Sequence, residues 1–224
     1  MWLGQLLIVH GNSAYFFGEK SIPPSAAGFP STPIHDCRTY YLNSGVTAAV
    51  YELTKTNNLT TDPLNPYAQV PAGEIRSRGV ELEAKAAVNA NINLTASYTY
   101  TDAEYTEDTT LKGKTPVQVP KNMASLWGDY TFYEGPLSGL TLGTGGRYVG
   151  SSYGDPKNTF KVGSSTVMDA VVKYDLARLG MAGSSVAVNV TNLFDREYVA
   201  SCFDTYGCFW GAERQVVATA TFRF

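Results

Sequence analysis

Residues 91–101 read NINLTASYTYT, and the character of the side chain changes at every position. Successive side chains of an extended chain point to opposite faces. The Ile, Leu, Ala and Tyr residues of this stretch therefore share one face, and the Asn, Thr and Ser residues share the other. The stretch predicts a β-strand with one apolar and one polar face.

The same period of two recurs along the chain, clearly at the C-terminus and more weakly in the middle. The composition agrees, because 15 Tyr, 10 Phe and 21 Gly beside only 17% charged residues suit strands and turns better than helices. We therefore predict an all-β fold with about eight antiparallel strands. These strands are residues 46–53, 80–88, 91–101, 119–132, 140–149, 166–175, 185–190 and 215–224.

The connections between these strands alternate strictly between short and long. An up-and-down barrel places all short turns at one rim and all long loops at the other, which is the asymmetry of outer-membrane barrels. The sequence thus predicts long loops on the outer side. The short connections are residues 88–91, 133–136 and 177–184, and the long ones are residues 54–72, 102–118, 150–165 and 196–210.

The period alone does not say which face is inside, because a soluble barrel with an apolar lumen has the same alternation. The apolar face has Ala, Val and Leu in its middle and aromatic residues toward the strand ends, as lipid contact between two aromatic girdles requires. The other face carries charges that suit a wide, wet lumen. The aromatic residues are Tyr98, Tyr100, Tyr130, Phe132, Tyr148, Phe222 and Phe224, and the charged residues are Glu81, Glu83, Lys85, Arg147 and Arg223.

Charge and histidine content argue against several functions. A net charge of −3 leaves no basic excess for nucleic acid. His10 and His35 have no accompanying nucleophile or acid, so no catalytic residue is predicted and the chain is not expected to be an enzyme. The cluster His35-Asp36-Cys37 lacks a second ligand pair, so no metal site is predicted. Residues 1–44 contain several prolines and no sustained period, so we predict an irregular N-terminal segment there.

Two short motifs carry a family resemblance. Residues 192–198, NLFDREY, and residues 78–83, RGVELE, resemble two signatures of TonB-dependent outer-membrane receptors. The stretches 119–127, 145–148 and 202–224 resemble the ferrichrome-type receptors for ferric hydroxamate siderophores within that family. The residues that carry the signatures are Arg78, Gly79, Glu81, Asn192, Leu193, Phe194, Asp195 and Tyr198.

The resemblance implies a parent barrel of about 22 strands, filled by a plug domain that contacts the TonB complex. Residues 45–224 are then expected to be its C-terminal part, an antiparallel transmembrane β-barrel segment without the plug domain or the earlier strands. It further implies uptake of a ferric hydroxamate siderophore across the bacterial outer membrane, energised by TonB, with no cofactor because iron stays in its chelator. Outer-membrane lipid and lipopolysaccharide are expected partners, and phage or colicin binding is left open.

The last long loop contains the expected ligand contact. Cys202 and Cys208 are spaced so that either a bridge or two free thiols is possible. The oxidising envelope and the family resemblance favour the disulfide, which leaves Cys37 as the odd cysteine. Phe203 occupies the position that contacts the siderophore in the family. Tyr206, Phe209 and Trp210 are interpreted as part of an aromatic girdle or as loop packing, and the terminal Phe222 and Phe224 as the membrane-assembly signal.

Two other functions compete with siderophore uptake. A passive porin-like channel shares the barrel pattern but would lack the two receptor signatures. A soluble ligand-binding β-barrel would not end on alternating apolar residues with a terminal Phe. Detergent-dependent solubility separates this last alternative from the membrane proteins.

Overall fold

The structure is a computed structural model that describes residues 37–42, 45–62, 64–65 and 67–223. In this part of the chain nearly all regular structure is β. The elements are β1 (Cys37–Leu42), β2 (Val46–Thr61), β3 (Gln69–Ala87), β4 (Ile92–Glu107), β5 (Asn122–Thr131), β6 (Leu140–Val149), β7 (Ser152–Tyr153), β8 (Lys161–Val162), β9 (Ser165–Asp175), a 3-10 helix (Leu176–Leu179), β10 (Ser185–Thr191), β11 (Val199–Asp204), β12 (Gly207–Trp210) and β13 (Gln215–Thr221).

Nine of these strands form one antiparallel sheet in the order β1-β2-β3-β4-β5-β6-β9-β10-β13. Each strand therefore lies beside the sheet strand that precedes it in the chain. The remaining strands pair as two small hairpins, β7 with β8 and β11 with β12, within the loops that follow β6 and β10. The sheet is a continuous meander. Each hairpin lies within a long connection between two neighbouring sheet strands, one between β6 and β9 and the other between β10 and β13.

All eight predicted strands are confirmed in the main sheet, and the structure adds a ninth strand to it besides the four short strands of the two hairpins. Cys37–Leu42 pairs with β2 from Cys37↔Tyr51 to Leu42↔Val46, so the prediction that residues 1–44 are irregular is wrong for this stretch. Its sequence, CRTYYL, is rich in residues that favour strands, and the edge of β2 supplies backbone partners. Residues 1–36, 43 and 44, with His10 and His35, lie outside the described residues, as does Phe224.

Strands β2, β3 and β4 run further than predicted. Residues 54–61 and 69–72, expected in a loop, continue the pairing as far as Thr61↔Gln69. Polar residues occupy both faces there, so the apolar alternation ends although the hydrogen-bonded ladder goes on. Cross-strand ion pairs support the extension, because Arg76 and Arg78 of β3 contact Glu104 and Asp102 of β4. The outer part of the sheet is thus polar β-structure rather than loop.

The register places the apolar residues of all the central strands in common rows. Leu82 lies opposite Tyr98, which lies opposite Ala124, and Ala124 lies opposite Tyr148. A second row runs through Ile92, Tyr130, Leu142, Val172, Val188 and Ala218. Leu126 is 59% exposed on this face and Val216 is 63% exposed. A continuous exposed apolar face across the sheet suits contact with lipid.

The opposite face is polar and charged. Lys85, Thr95 and Trp127 share a row that continues to Gly145 and Asp169. Buried apolar residues are few in the described part of the chain: Ala103, Val162, Val167, Leu176 and Cys202. The sheet therefore has one apolar and one polar face, and among the described residues neither face covers a large packed apolar core. Among the residues that the structure describes, no helix is long and apolar enough to cross a membrane.

Candidate ligand-binding hairpin and its base

The β11–β12 hairpin contains the predicted disulfide and the predicted ligand contact. Cys202 and Cys208 face each other across the two strands and their sulfurs are bonded, so the predicted bridge is present. Cys202 is only 2% exposed. The bridge closes the tip of the hairpin and limits how far its two strands can separate.

Phe203 lies in a cluster of aromatic rings at the tip. Its ring centroid is 5.9 Å from that of Tyr206 and 5.8 Å from that of Phe209. The ring also covers Gly207, where an added Cβ would lie 2.9 Å from Cε2 of Phe203. Phe203 remains 43% exposed. The hairpin thus holds one aromatic face in a fixed place, while Tyr206 and Phe209 pack against it as interpreted from the sequence.

The first signature residue, Asn192, lies where the chain leaves β10. Its backbone has φ = 52°, a left-handed conformation that Asn tolerates better than most residues, and it is only 3% exposed. The side-chain amide donates hydrogen bonds to the carbonyl oxygens of Arg196 at 2.9 Å and Ala212 at 3.0 Å. Its Oδ1 accepts from the backbone N–H of Arg196 at 2.9 Å. One side chain therefore joins the outgoing and returning ends of the loop.

Two more signature residues contact the returning end. The backbone N–H of Arg214 donates to Oδ1 of Asp195 at 2.8 Å, and Asp195 also has a positive φ of 53°. The N–H of Gly211 donates to the carbonyl oxygen of Tyr198 at 2.7 Å. The Tyr198 ring covers Gly211 so closely that no Cβ would fit there. The signature is thus concentrated at the base of the hairpin.

The same base is anchored to β9. The N–H of Asn192 donates to Oδ1 of Asp169 at 3.0 Å, and the N–H of Leu193 donates to the carbonyl oxygen of Met168 at 2.7 Å. Arg147 binds Asp169 through two donors, Nε to Oδ2 at 2.7 Å and Nη2 to Oδ1 at 3.1 Å. Phe194, in contrast, is 73% exposed. Asp169 therefore links the polar face of the sheet to the hairpin.

The other signature, residues 78–83, contacts residues of the neighbouring strands. Arg78 donates to Asp102 at 3.2 Å, and Lys121 forms an ion pair with the same carboxylate at 3.2 Å. Gly79 lies beneath Tyr51, whose hydroxyl is 2.9 Å from Oγ1 of Thr101. Glu81 lies opposite Thr99 on the polar face. This signature joins β2, β3 and β4, and among the described residues no hydrogen bond or ion pair connects it with the hairpin.

Further polar contacts join the outer loops to each other. Thr60, near the end of β2, and Thr109 of the β4–β5 loop share a hydroxyl hydrogen bond of 2.9 Å. Asn158 accepts from the N–H of Thr115 at 2.8 Å and donates to its carbonyl oxygen at 2.8 Å, which joins the β4–β5 and β6–β9 loops. These contacts connect the end of β2, the β4–β5 loop and the β6–β9 loop at the same end of the sheet.

Two aspartates order these loops from within. Asp108 accepts from the N–H groups of Thr110 and Leu111, and Asp155 accepts from three N–H groups of its own loop. Burial by itself would raise the pKa of each carboxyl, but the hydrogen bonds outweigh burial and lower the pKa of both below the ordinary value. Both carboxylates are therefore charged at neutral pH and act as loop caps.

Sequence reasoning missed two residues of the polar face. Asp169 is a single carboxylate inside the apolar run of β9, VMDAVV, and this interruption was a usable signal. Trp127 covers Gly143 and Gly145 on the neighbouring strand, where an added Cβ would lie 2.8 Å from Cζ2 and 2.5 Å from Cε3 of its ring.

No three His, Cys, Asp or Glu side chains of the described residues are placed to bind a metal ion together.

The fold and the hairpin define an outer-membrane β-barrel receptor segment. The family described as "TonB dependent receptor-like, beta-barrel" matches residues 38–193, and the chain belongs to this family. It is 76% identical over 179 residues to the "Ferrichrome outer membrane transporter/phage receptor" of Escherichia coli K12, covering 80% of this chain and 24% of that protein. It is 44% identical over 184 residues to the "Ferrioxamine B receptor" of Salmonella typhimurium, covering 81% of this chain and 26% of the receptor.

Solved structures show the same fold. The siderophore receptor PiuA from Acinetobacter baumannii superposes with a TM-score of 0.63 at 27% identity, over 79% of this chain and 26% of the receptor. The unliganded ferric citrate transporter FecA gives 0.66 at 22% identity, over 81% and 29%, a likeness of fold alone. The chain thus spans about a quarter of the length of these relatives. The predicted barrel class and outer-membrane localisation are confirmed, and the relatives are transporters and receptors rather than enzymes.

Proposed function

We propose that this chain forms C-terminal strands and an outer ligand loop of a receptor that binds ferric hydroxamate siderophores of the ferrichrome type and imports them with energy from TonB. The observation that carries the proposal is the 76% identity to the Escherichia coli ferrichrome transporter. The disulfide-closed aromatic hairpin supports it, because it holds the residue expected to contact the ligand. The TonB complex would act through a plug domain, as the family resemblance implies.

Phe203 is the proposed ligand contact. Its exposed ring offers carbon surface to a compact iron chelate without requiring charge complementarity. The iron would remain within its chelator, so the protein needs neither a metal site nor a cofactor of its own. Rigidity matters here, because a ring already fixed by its neighbours loses little conformational entropy when it binds.

The other proposed partners follow from the setting. The apolar face would contact outer-membrane lipid, and the charged ends of β3 and β4 would meet the headgroup region of lipopolysaccharide. The relative's printed name includes a phage receptor, so a phage tail protein is a further candidate for the outer loops. Colicin binding is left open. A porin-like channel or a soluble binding barrel is disfavoured by membership of the receptor family.

A transplant tests the proposal. The matched segment of the Escherichia coli transporter is replaced by the corresponding residues of this chain, and a receptor-deleted strain is grown with ferric ferrichrome as sole iron source. TonB-dependent growth is expected. In this transplant Phe203→Ala should weaken ferric ferrichrome binding by about 1 to 3 kcal/mol, through lost apolar contact.

The matched control is Tyr133→Ala, which removes another exposed aromatic ring at the opposite, short-turn rim. It should leave the dissociation constant unchanged. An unchanged constant for Phe203→Ala at a normal surface level would return Phe203 to ordinary loop packing. No growth of the well-expressed transplant would overturn the proposed substrate class.

A further inference from the structure

We propose that the signature residues Asn192, Asp195 and Tyr198 are positioning residues for ligand binding, acting as a clasp that fixes the outer hairpin with Phe203. The inference rests on the proposed function, because the hairpin is taken as the siderophore contact. It assigns these residues a role in ligand affinity, through the geometry of a loop whose tip lies several residues away.

The clasp is defined by bonds between distant parts of the chain. Residues 192–198 leave β10, and residues 211–214 return toward β13 after the hairpin. All three signature residues bind this returning segment. The Asn192 side chain donates to the carbonyl oxygen of Ala212, the Asp195 side chain accepts from the N–H of Arg214, and the backbone carbonyl oxygen of Tyr198 accepts from the N–H of Gly211. The two ends of the loop between β10 and β13 are therefore held together by the side chains of Asn192 and Asp195 and by a main-chain bond of Tyr198.

The clasp and the disulfide act at opposite ends of the same hairpin. The Cys202–Cys208 bond fixes the tip, whereas the clasp fixes its orientation relative to the sheet. A tip closed by a disulfide can still swing as a rigid body about an unrestrained base. The backbone N–H of Asn192 also donates to Asp169 of β9. The clasp therefore holds the base of the hairpin against a strand of the sheet and prevents this rigid-body movement.

The chemistry of Asn192 is specific to an amide in a left-handed backbone. Its Nδ2 donates to two carbonyl oxygens while Oδ1 accepts from an N–H, a combination that no other side chain of this size provides. Aspartate has the same shape but would turn a lone pair toward two carbonyl oxygens. Glycine would keep the positive φ and lose all three side-chain bonds. Both Asp and Gly allow the left-handed backbone, so the effects of these two substitutions report the lost side-chain bonds rather than a strained backbone.

The test has two arms, with Asn192→Asp and Asn192→Gly as variants. In the full chain in detergent micelles, hydrogen exchange is measured at the N–H groups of Arg196, Gly211 and Arg214. In the transplant, ferric ferrichrome affinity is measured separately from the uptake rate at saturating ligand. The control is Asn91→Asp, which removes a comparable amide bond, Nδ2 to the carbonyl of Thr131 at 2.7 Å, at the opposite rim.

We expect both Asn192 variants to lose exchange protection at Gly211 and Arg214, and Asn192→Gly to lose it at Arg196 as well, since the carboxylate of Asn192→Asp can still accept from that N–H. Both variants should bind more weakly, by up to about tenfold, since ordering bonds of the loop are lost. Uptake per receptor at saturating ligand should be unchanged, which a general assembly defect would not allow. Asn91→Asp should alter neither reading. Unchanged protection, or lost protection with unchanged affinity, would overturn the proposal.

The two hypotheses can fail separately. If the wild-type transplant does not bind ferric ferrichrome, the proposed function fails. The exchange arm still decides whether the clasp exists, since loss of protection in Asn192→Asp supports it and retention rejects it. If the transplant binds and the clasp variants bind equally well, only the clasp is rejected.

Discussion

Gly79→Ala should destabilise the sheet, because the glycine lies in the narrow space between β2 and β4. A Cβ at this position would lie 2.6 Å from Oη and 2.7 Å from Cζ of Tyr51, and it would also meet the backbone carbonyl oxygen of Tyr100. The Tyr51 ring can move only by breaking its hydroxyl bond with Thr101. The Tyr100 carbonyl belongs to the strand and cannot rotate away by itself.

The magnitude follows from these two contacts. Overpacking by one methyl group costs about 1 to 3 kcal/mol, and loss of the Tyr51–Thr101 hydrogen bond adds about 1 kcal/mol. We therefore expect Gly79→Ala to lower the free energy of unfolding by about 2 to 4 kcal/mol. Gly163→Ala is the matched control, since nothing lies within 4 Å of its added Cβ.

The assay is urea unfolding of the chain in detergent micelles, followed by far-UV circular dichroism. Gly163→Ala should lie within about 0.5 kcal/mol of the wild type. Adding Tyr51→Ala to Gly79→Ala should recover the part of the loss due to the ring, while the part due to Tyr100 remains. Equal stability of Gly79→Ala and Gly163→Ala would refute this account of the signature glycine.

Three further predictions concern the loops and the C-terminus. Replacing Cys202 and Cys208 together by Ser should speed hydrogen exchange within β11 and β12 but not within β4; equal speeding in both would contradict a local role. The lowered pKa of Asp108 and Asp155 means that their capping is complete above the unfolded value of about 3.9 and is lost as pH falls through the lower folded value. Exchange protection of the N–H groups they bind should thus hold to about pH 4 and fail below it, and failure near pH 6 would exclude these carboxylates. Deleting Phe224, the predicted assembly signal, from the full-length receptor should reduce the amount of heat-modifiable receptor in the outer membrane, and an unchanged amount would reject that role.

The central strands could be predicted because each alternates apolar and polar residues, and a one-residue slip would reverse its faces. The ends of β2 and β3 near Thr61 and Gln69 could not be predicted as strand, since Thr, Asn and Arg on both faces leave no alternation to detect. Strand β1 was missed for a related reason. Its six residues lie beside a proline-rich segment, and only the pairing with β2 distinguishes them from it.

The hairpin shows the same division. The spacing of Cys202 and Cys208 allowed either a bridge or two free thiols, and the family resemblance together with the oxidising compartment favoured the bridge that the structure contains. The bond of Asn192 to Ala212 joins residues 20 apart, and it depends on the path of the intervening loop. The left-handed backbone at Asn192 and Asp195 has no unique sequence code either, because Asn and Asp adopt it only in suitable surroundings.

Gly79 and Asn192 are therefore signature positions where the backbone, rather than the ligand, imposes the residue. Gly79 allows Tyr51 to cross β3 and reach Thr101, and Asn192 closes the base of a loop through bonds to main-chain atoms. The Asn192 bonds reach main-chain atoms, whose chemistry does not depend on the sequence, so we expect this residue to suit receptors with different ligands. Phe203 differs in kind, because its exposed ring acts through side-chain surface. Ligand preference should accordingly change with residues at the hairpin tip, while residues of the clasp set how firmly any tip is held.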